Sequence, residues 1–300
     1  MKSKYFTFVI FILGLCLNSS AIAEQISENP FQSSHIKIAP NTYIYSEYYP
    51  NQASKFKGTI IFENGGGSSI SEWKKTIRNQ PTVTSCAKRL ASVFMYDRSG
   101  IGKSNPDLSV TVVNPITAEK TIDRLLYILN QQRIKPPYIL LVHSYGGIYG
   151  QYFVRKYPNL ISGIIFIDPV VVNYKYPRSL IKKLNQYLPI TEKHTAEYMY
   201  RNYKDASFTA DTLYTLLGYD STTKQINRLP PLNSNIPIVI LASTEMNKTK
   251  PKWYEYQREL SKQSLKSKLL TVKSSHYIMQ DKPEIVCREL ENLINQLNVA

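Results

Sequence analysis

The sequence predicts an α/β domain with a mostly parallel central sheet and helices on both of its faces. Apolar runs with the length of buried strands alternate along the chain with segments of helical amphipathicity. One of these runs ends in the turn "HSYGG", which joins a strand directly to a helix. The 300 residues, 43% of them hydrophobic, suffice for one sizeable core, and no linker-like stretch divides them.

The strands and helices are assigned from residue periodicity. Strand-forming runs lie, in chain order, at 42–49, 59–64, 92–97, 138–143, 161–168, 236–244 and 267–273. One helix follows from apolar residues that share a face: Ala118, Ile122, Leu125, Leu126 and Leu129. Another, near the chain end, follows from Val286, Leu290, Leu293, Ile294 and Leu297, with Pro283 near its first turn. This alternation predicts a functional site at the carboxyl ends of the strands.

The N-terminal segment has the layout of a cleavable export signal. Two lysines are followed by an apolar run, 5–17, and by Ala-Ile-Ala before Glu24. The run is shorter than the roughly 20 residues that a membrane-spanning helix needs. We expect removal of 1–23 and a periplasmic or secreted domain at 24–300, the alternative being an uncleaved membrane anchor.

The chain is strongly basic. Its net charge is +15, and loss of the signal would remove two of 37 basic residues and none of 22 acids, leaving +13. Such a surface is expected to be weakly attracted to anionic envelope surfaces, through forces that salt weakens. The basic residues are scattered and form no RNA-binding motif, which argues against a nucleic acid partner. No obligate protein partner is inferred.

The turn around Ser144 carries the chemistry. A buried-strand pattern at 138–143 leads into this serine, and Gly146 and Gly147 allow a tight turn and a closely packed helix. Such a turn lifts the hydroxyl out of the sheet, in front of a helix N-terminus that favours developing negative charge. The alternative is a serine that only caps the helix.

Four segments, in order, resemble the α/β-hydrolase superfamily over most of the mature chain: "IIFENGGGSS", "FMYDRSGIGKS", "VHSYG" and "KSSHYIMQDKPEIV". The family's nucleophile elbow is usually G-x-S-x-G, and here Val142 replaces the first glycine. "SGIGKS" is not a nucleotide-binding loop, because Asp97 stands where that motif requires glycine. Asp97 and Arg98 are instead interpreted as residues that brace the backbone.

The resemblance implies an α/β-hydrolase fold and a serine hydrolase that cleaves a carboxylic ester through an acyl-enzyme. The expected substrate is a small-molecule or lipid-like ester, and neither a metal nor an organic cofactor is expected. Ser144 in place of an aspartate argues against the epoxide hydrolases and dehalogenases of the family. The alternatives are an amidase or peptidase with the same residues, and a non-catalytic lidded binding protein.

Ser144 and His276 match the family's catalytic serine and histidine. Of the four histidines, His35 precedes the predicted sheet, His143 lies in the elbow and His194 lies in an insertion. Only His276 follows a strand just before the terminal helix, where the family places its catalytic histidine. The resemblance implies that it acts as general base and then as general acid.

Two acids are candidates for the third catalytic residue. Asp168 ends the run 161–168, and Glu245 opens a long polar loop after the run 236–244, where many relatives carry the acid. The following "KPKWYEYQRELSKQS" is similar to a bacterial branch in which the preceding strand ends in an aspartate. Asp168 is therefore preferred, with Glu245 as the alternative.

The resemblance also implies two backbone donors for the substrate oxyanion. One is the N–H of Tyr145, after the nucleophile. The other is the N–H of Gly66, with Gly65 and Gly67 as neighbouring alternatives. Many relatives have a histidine where this chain has Asn64.

An insertion and a cysteine pair complete the predictions. The segment at roughly 173–235 is expected to form a lid, with helical pieces near 179–187, 195–203 and 209–217. Cys86 and Cys287 are the cysteines left after signal removal. The resemblance places their helices on one face of the sheet, with Cys86 closing the first, and implies a disulfide; the alternative is two free thiols.

Overall fold

A computed structural model of the protein describes residues 30–111, 113–176, 210–233, 235–250 and 252–299. The predicted export signal, His194 and the helical pieces expected near 179–187 and 195–203 lie outside these residues. Within them, none of the helices is both long and apolar enough to span a membrane.

Strands of the described residues form one eight-stranded sheet. They are β1 (Gln32–Ala39), β2 (Thr42–Tyr49), β3 (Thr59–Glu63), β4 (Ser92–Tyr96), β5 (Tyr138–His143), β6 (Ile161–Ile167), β7 (Ile238–Ser243) and β8 (Ser267–Val272). Their spatial order is β1-β2-β4-β3-β5-β6-β7-β8. β2 is antiparallel to both β1 and β4, and every other neighbouring pair is parallel. The mostly parallel sheet predicted from the sequence is thereby confirmed.

The strand β1 was not predicted. Its sequence, QSSHIKIA, is polar over its first half and mostly exposed, so the alternation typical of a half-buried strand is too short to recognise. His35 lies within this strand, opposite Tyr45 of β2, and the expectation that it precedes the sheet was wrong.

Within the described residues, helices lie between the strands from β3 onward and after β8. They are α1 (Val83–Leu90), α2 (Ala118–Gln131), α3 (Gly146–Lys156), α4 (Ala210–Leu217), α5 (Tyr219–Asn227), α6 (Thr244–Thr249), α7 (Trp253–Ser261), α8 (Ile278–Asp281) and α9 (Pro283–Val299), with 3₁₀ helices at Ile70–Lys74 and Pro158–Leu160. Threonines cap two of them, because the hydroxyls of Thr82 and Thr117 accept backbone N–H groups in the first turns of α1 and α2. The polar stretch after β7, expected to be a loop, forms α6 and α7.

Two apolar clusters cover the two faces of the sheet. Ile122 of α2 and Phe153 of α3 belong to one cluster, and Val83 of α1 and Leu290 of α9 belong to the other. All four side chains are at most 1% exposed. Helices therefore cover both faces of the sheet, as the α/β pattern predicted.

A disulfide joins the two helices of the second cluster. Cys86 of α1 and Cys287 of α9 are bonded, with their Cα atoms 6.0 Å apart. Cys86 lies in the middle of α1 and not at its end, because this helix continues to Leu90. The terminal helix, which follows the His276 loop, is thus tied covalently to the body of the domain.

The described part of the insertion after β6 packs beside the turn that bears Ser144. Helix α4 closely matches the piece expected at 209–217. The Tyr145 hydroxyl donates to the carbonyl oxygen of Thr215 in this helix (3.4 Å). The hydroxyl of Thr222, in α5, accepts the N–H of Ala118 at the start of α2 (3.0 Å). Both helices therefore lie at the carboxyl end of the sheet, in the position expected of a lid.

Candidate active site

Ser144 lies on a strained turn between β5 and α3. Its φ is 50°, a left-handed conformation that side chains other than glycine rarely adopt. Its N–H donates to the carbonyl oxygen of Ile167 at the end of β6 (3.1 Å), and its own carbonyl oxygen accepts the N–H groups of Gly147 (2.9 Å) and Val170 (2.8 Å). These bonds hold the turn, and Ser144 remains partly exposed at the carboxyl end of the sheet.

The glycine after the elbow is required by close packing against β3. A Cβ atom on Gly146 would lie 2.6 Å from the carbonyl oxygen of Glu63 and 2.7 Å from that of Asn64, so any other residue would displace the backbone. Val142, which replaces the elbow's usual first glycine, is fully buried within β5. The departure from the family pattern is thus accommodated in the strand, and the turn itself keeps its glycine.

His276 forms hydrogen bonds to both other candidate catalytic side chains. It lies in the loop between β8 and α8. Its Nε2 is 2.8 Å from the Ser144 Oγ, and its Nδ1 is 2.7 Å from the Asp168 Oδ2. The loops after β5, β6 and β8 thus bring a hydroxyl, a carboxylate and an imidazole into one continuous chain of hydrogen bonds. This arrangement allows the imidazole to remove the proton of the hydroxyl.

Asp168 is buried and accepts hydrogen bonds at both carboxylate oxygens. Its Oδ1 accepts the N–H of Ser243 (3.0 Å) and the indole N–H of Trp253 (2.8 Å), and its Oδ2 accepts the Ser243 hydroxyl (2.7 Å) besides His276. Sequence reasoning did not identify Ser243 or Trp253 as contributors. The sequence signal that could have identified Trp253 is a tryptophan within the polar stretch "KPKWYEYQ". If such a residue is buried, its indole N–H needs an acceptor.

Glu245, the alternative acid, does not reach His276. The hydroxyl of Ser243 caps α6 by accepting the N–H of Met246 (3.1 Å), so the helix begins directly after β7 and leaves the Glu245 side chain exposed. The backbone N–H of Glu245 donates to the carbonyl oxygen of Ser274, in the loop before His276 (3.3 Å).

The environment holds Asp168 ionised and His276 neutral. Burial on its own raises the pKa of Asp168, but the hydrogen bond and charge of His276 and the Ser243 donors outweigh it and bring the pKa below the ordinary value of an aspartate. Burial lowers the pKa of His276, the hydrogen bond with Asp168 opposes this, and His143 lowers it further. The net result is a histidine pKa below the usual 6.5.

This lowered pKa predicts the acid side of the pH profile. A general base acts only in its neutral form, so activity is lost as pH falls through the pKa of His276. We expect kcat/KM for any reaction that uses His276 as its base to fall with a midpoint below pH 6.5. Initial rates from about pH 4 to pH 8 give this midpoint. A midpoint above 6.5 would contradict the expected environment of His276.

The glycine turn after β3 faces the elbow. Gly65 donates its N–H to the Glu72 Oε1 (2.8 Å), so this group is already bound within the protein. Gly66 is exposed, and a Cβ atom built on it would lie 3.4 Å from the Cβ of Tyr145. Gly66 therefore lies beside Tyr145, where the two backbone donors were expected, and Gly67 follows it in the turn.

Buried polar side chains fix the shape of this turn. The Arg98 guanidinium donates to the carbonyl oxygens of Asn64 (2.9 Å) and Gly65 (2.6 Å). The Asp97 Oδ1 accepts the N–H of Ile70 (2.8 Å), in keeping with the bracing role expected of both residues. The Asn64 side chain accepts the indole N–H of Trp73 (2.7 Å), which gives it a structural role in this turn. Within the described residues, no cluster of three or more His, Cys, Asp or Glu could hold a metal ion.

Comparisons with known proteins agree with this architecture. The model of a family described as alpha/beta hydrolase fold matches residues 58–278. The uncharacterized protein YqjL of Bacillus subtilis is 25% identical over 232 residues, which cover 76% of this chain and 80% of YqjL. A thermophilic esterase from Thermogutta terrifontis superposes with a TM-score of 0.62 at 18% identity, covering 89% of this chain and 99% of the esterase. A haloalkane dehalogenase variant from Bradyrhizobium elkanii superposes with a TM-score of 0.66 at 12% identity, covering 90% and 98%. Because both identities are below 25%, these two superpositions show a shared fold and nothing about a shared activity.

Proposed function

Because the chain belongs to the α/β-hydrolase fold family, we propose that it is a serine hydrolase that cleaves a carboxylic ester through an acyl-enzyme on Ser144. The observation that carries this proposal is the continuous hydrogen-bonded chain from the Ser144 hydroxyl through His276 to the buried Asp168. Proteins with this fold catalyse different reactions, so the proposal depends on these three side chains and not on the fold alone.

The reaction proceeds in two halves. His276 removes the proton from the Ser144 hydroxyl as the oxygen attacks the ester carbonyl, and Asp168 stabilises the resulting imidazolium. The tetrahedral oxyanion accepts the N–H groups of Tyr145 and Gly66. When the intermediate collapses, the ester C–O bond breaks and His276 protonates the departing alcohol. Water then attacks the acyl-enzyme as His276 removes its proton, and His276 returns that proton to the Ser144 oxygen when the acyl–oxygen bond breaks and the acid leaves.

The proposed substrate is a small-molecule or lipid-like ester, met outside the cytoplasm. The basic surface favours substrates or surfaces with negative charge nearby. The proposed export is supported by the composition of 1–23, and a disulfide between Cys86 and Cys287 suits an oxidising compartment. The described helices of the insertion, next to Tyr145, would shape the pocket that receives the acyl or alcohol group.

Covalent labelling and an ester panel test the proposal. We expect a fluorophosphonate probe to modify Ser144, identified by peptide mass spectrometry, and p-nitrophenyl esters to be hydrolysed with a preference set by acyl length. Matched p-nitroanilides serve as the control, because an amidase would cleave them at a comparable rate. No labelling and no ester turnover would contradict the proposal and favour a lidded binding protein.

A further inference from the structure

A second histidine and a second carboxylate lie buried behind the candidate active site. His143, the last residue of β5, is 1% exposed, and Glu72, in the 3₁₀ helix after β3, is 5% exposed. The His143 Nδ1 is 3.1 Å from the Glu72 Oε2. The other ring nitrogen, Nε2, is 3.2 Å from the backbone carbonyl oxygen of His276.

The partners of His143 determine where its protons lie. A carbonyl oxygen can only accept a hydrogen bond, so Nε2 must carry a proton to bind the His276 oxygen. Nδ1 then either donates to an ionised Glu72 or accepts from a protonated one. In both forms the pair is electrically neutral as a whole, and both ring nitrogens are hydrogen-bonded. A buried polar pair of this kind is tolerated because each of its groups has a partner.

Glu72 extends this network to the glycine turn. Its Oε1 accepts the N–H of Gly65, directly before the proposed oxyanion donor Gly66. Its backbone carbonyl oxygen accepts the side-chain N–H of Gln280 in α8, just beyond His276 (3.0 Å). Through Glu72 and His143, the turn that faces the substrate oxygen is joined to the loop that carries the catalytic base.

We propose that Glu72 and His143 are positioning residues for this hydrolysis, which hold the backbone of His276 and the turn at Gly65 and Gly66 at a fixed separation. The inference rests on the proposed function. The base and the oxyanion donors come from loops after different strands, β8 and β3, and their spacing must be the same in both halves of the reaction. A displacement of about 1 Å at such a site can cost on the order of 100-fold in rate.

Paired substitutions separate positioning from bulk packing. Glu72→Ala removes the carboxylate, whereas in Glu72→Gln the amide still accepts the Gly65 N–H and can donate to Nδ1 of a neutral His143. His143→Phe keeps an aromatic ring and removes both ring nitrogens. We expect Glu72→Ala and His143→Phe to lower kcat about 10-fold to 100-fold with KM changed less than about twofold. Glu72→Gln should stay within about threefold of the wild-type kcat.

Glu289→Ala is the matched control for loss of a buried carboxylate. Glu289 lies in α9, is 2% exposed and pairs with Lys268 at 2.7 Å, outside the proposed catalytic machinery. We expect it to lower the melting temperature without lowering kcat. The downfield proton resonance of the His276 Nδ1, in its hydrogen bond to Asp168, gives a readout that needs no turnover. It should shift or broaden in Glu72→Ala and stay in place in Glu72→Gln and Glu289→Ala.

Two results would overturn the inference. One is a kcat within about threefold of wild type in Glu72→Ala and His143→Phe, with an unmoved His276 resonance. The other is an equal loss of kcat in Glu72→Ala and Glu72→Gln. The loss would then come from the missing charge of Glu72 and not from its missing hydrogen bonds. If the wild-type protein hydrolyses no ester, the proposed function fails, and the resonance still decides whether this pair positions His276.

Discussion

Replacing Ser144 by alanine is expected to lower ester hydrolysis by roughly a million-fold, the loss seen when a catalytic serine is removed from such a triad. The substitution deletes the atom that would bond to the acyl group, so no remaining side chain can take its place in the chain to His276. The measurement is kcat for a p-nitrophenyl ester, together with fluorophosphonate labelling. The melting temperature should stay close to that of wild type, because Ser144 is partly exposed and the substitution removes a single oxygen atom.

Ser85→Ala provides the matched control for this substitution. Ser85 is an exposed serine in the first turn of α1, and its loss should leave turnover and labelling unchanged. If Ser144→Ala kept its turnover, or if the probe reacted with another residue in it, Ser144 would not be the nucleophile.

Asp168→Asn is expected to lower kcat on the order of 10⁴-fold. An asparagine can present its amide N–H groups to Nδ1 of His276 and so favour the wrong tautomer of the imidazole, as well as removing the charge that stabilises the imidazolium. Glu245→Gln changes the other sequence-predicted acid in the same conservative way. Its side chain is exposed, so it should stay within about twofold of wild-type kcat.

The two substitutions together decide the assignment. Kinetics with one ester and a melting curve for each variant are sufficient, since a loss of kcat without unfolding separates chemistry from stability. A large loss in Glu245→Gln with little effect in Asp168→Asn would reverse the roles. Small, equal losses would exclude both residues as the partner of His276.

The sheet was largely predictable because parallel strands buried on both faces have continuous apolar runs, such as "YILLVH" in β5. The edge strand β1 was not, because half of its residues are polar and face solvent. At the site, the local sequence predicts that three residues follow strands: Ser144, Asp168 and His276. Their hydrogen-bonding to one another follows only from the resemblance or from the fold.

The contacts that support the catalytic residues could not be predicted from the sequence, because their members are far apart along the chain. Trp253 and Asp168 are 85 residues apart, and His143 and Glu72 are 71 apart. Nothing local to either pair predicts that its members meet, because the contact depends on how α7 and the 3₁₀ helix pack against the sheet. A choice between Asp168 and Glu245 likewise depended on the start of α6, where Ser243 caps the helix and turns Glu245 away.

The disulfide has a consequence for the integrity of the chain. Cys86 precedes Ser144 and Asp168, whereas Cys287, 201 residues later, follows His276. A protease that cut anywhere in 173–235 would separate the nucleophile from its base along the backbone, yet both fragments would stay joined through sulfur. Such a nicked protein would migrate as one species in non-reducing electrophoresis and as two after reduction. It would be a two-chain molecule whose smaller chain supplies the histidine.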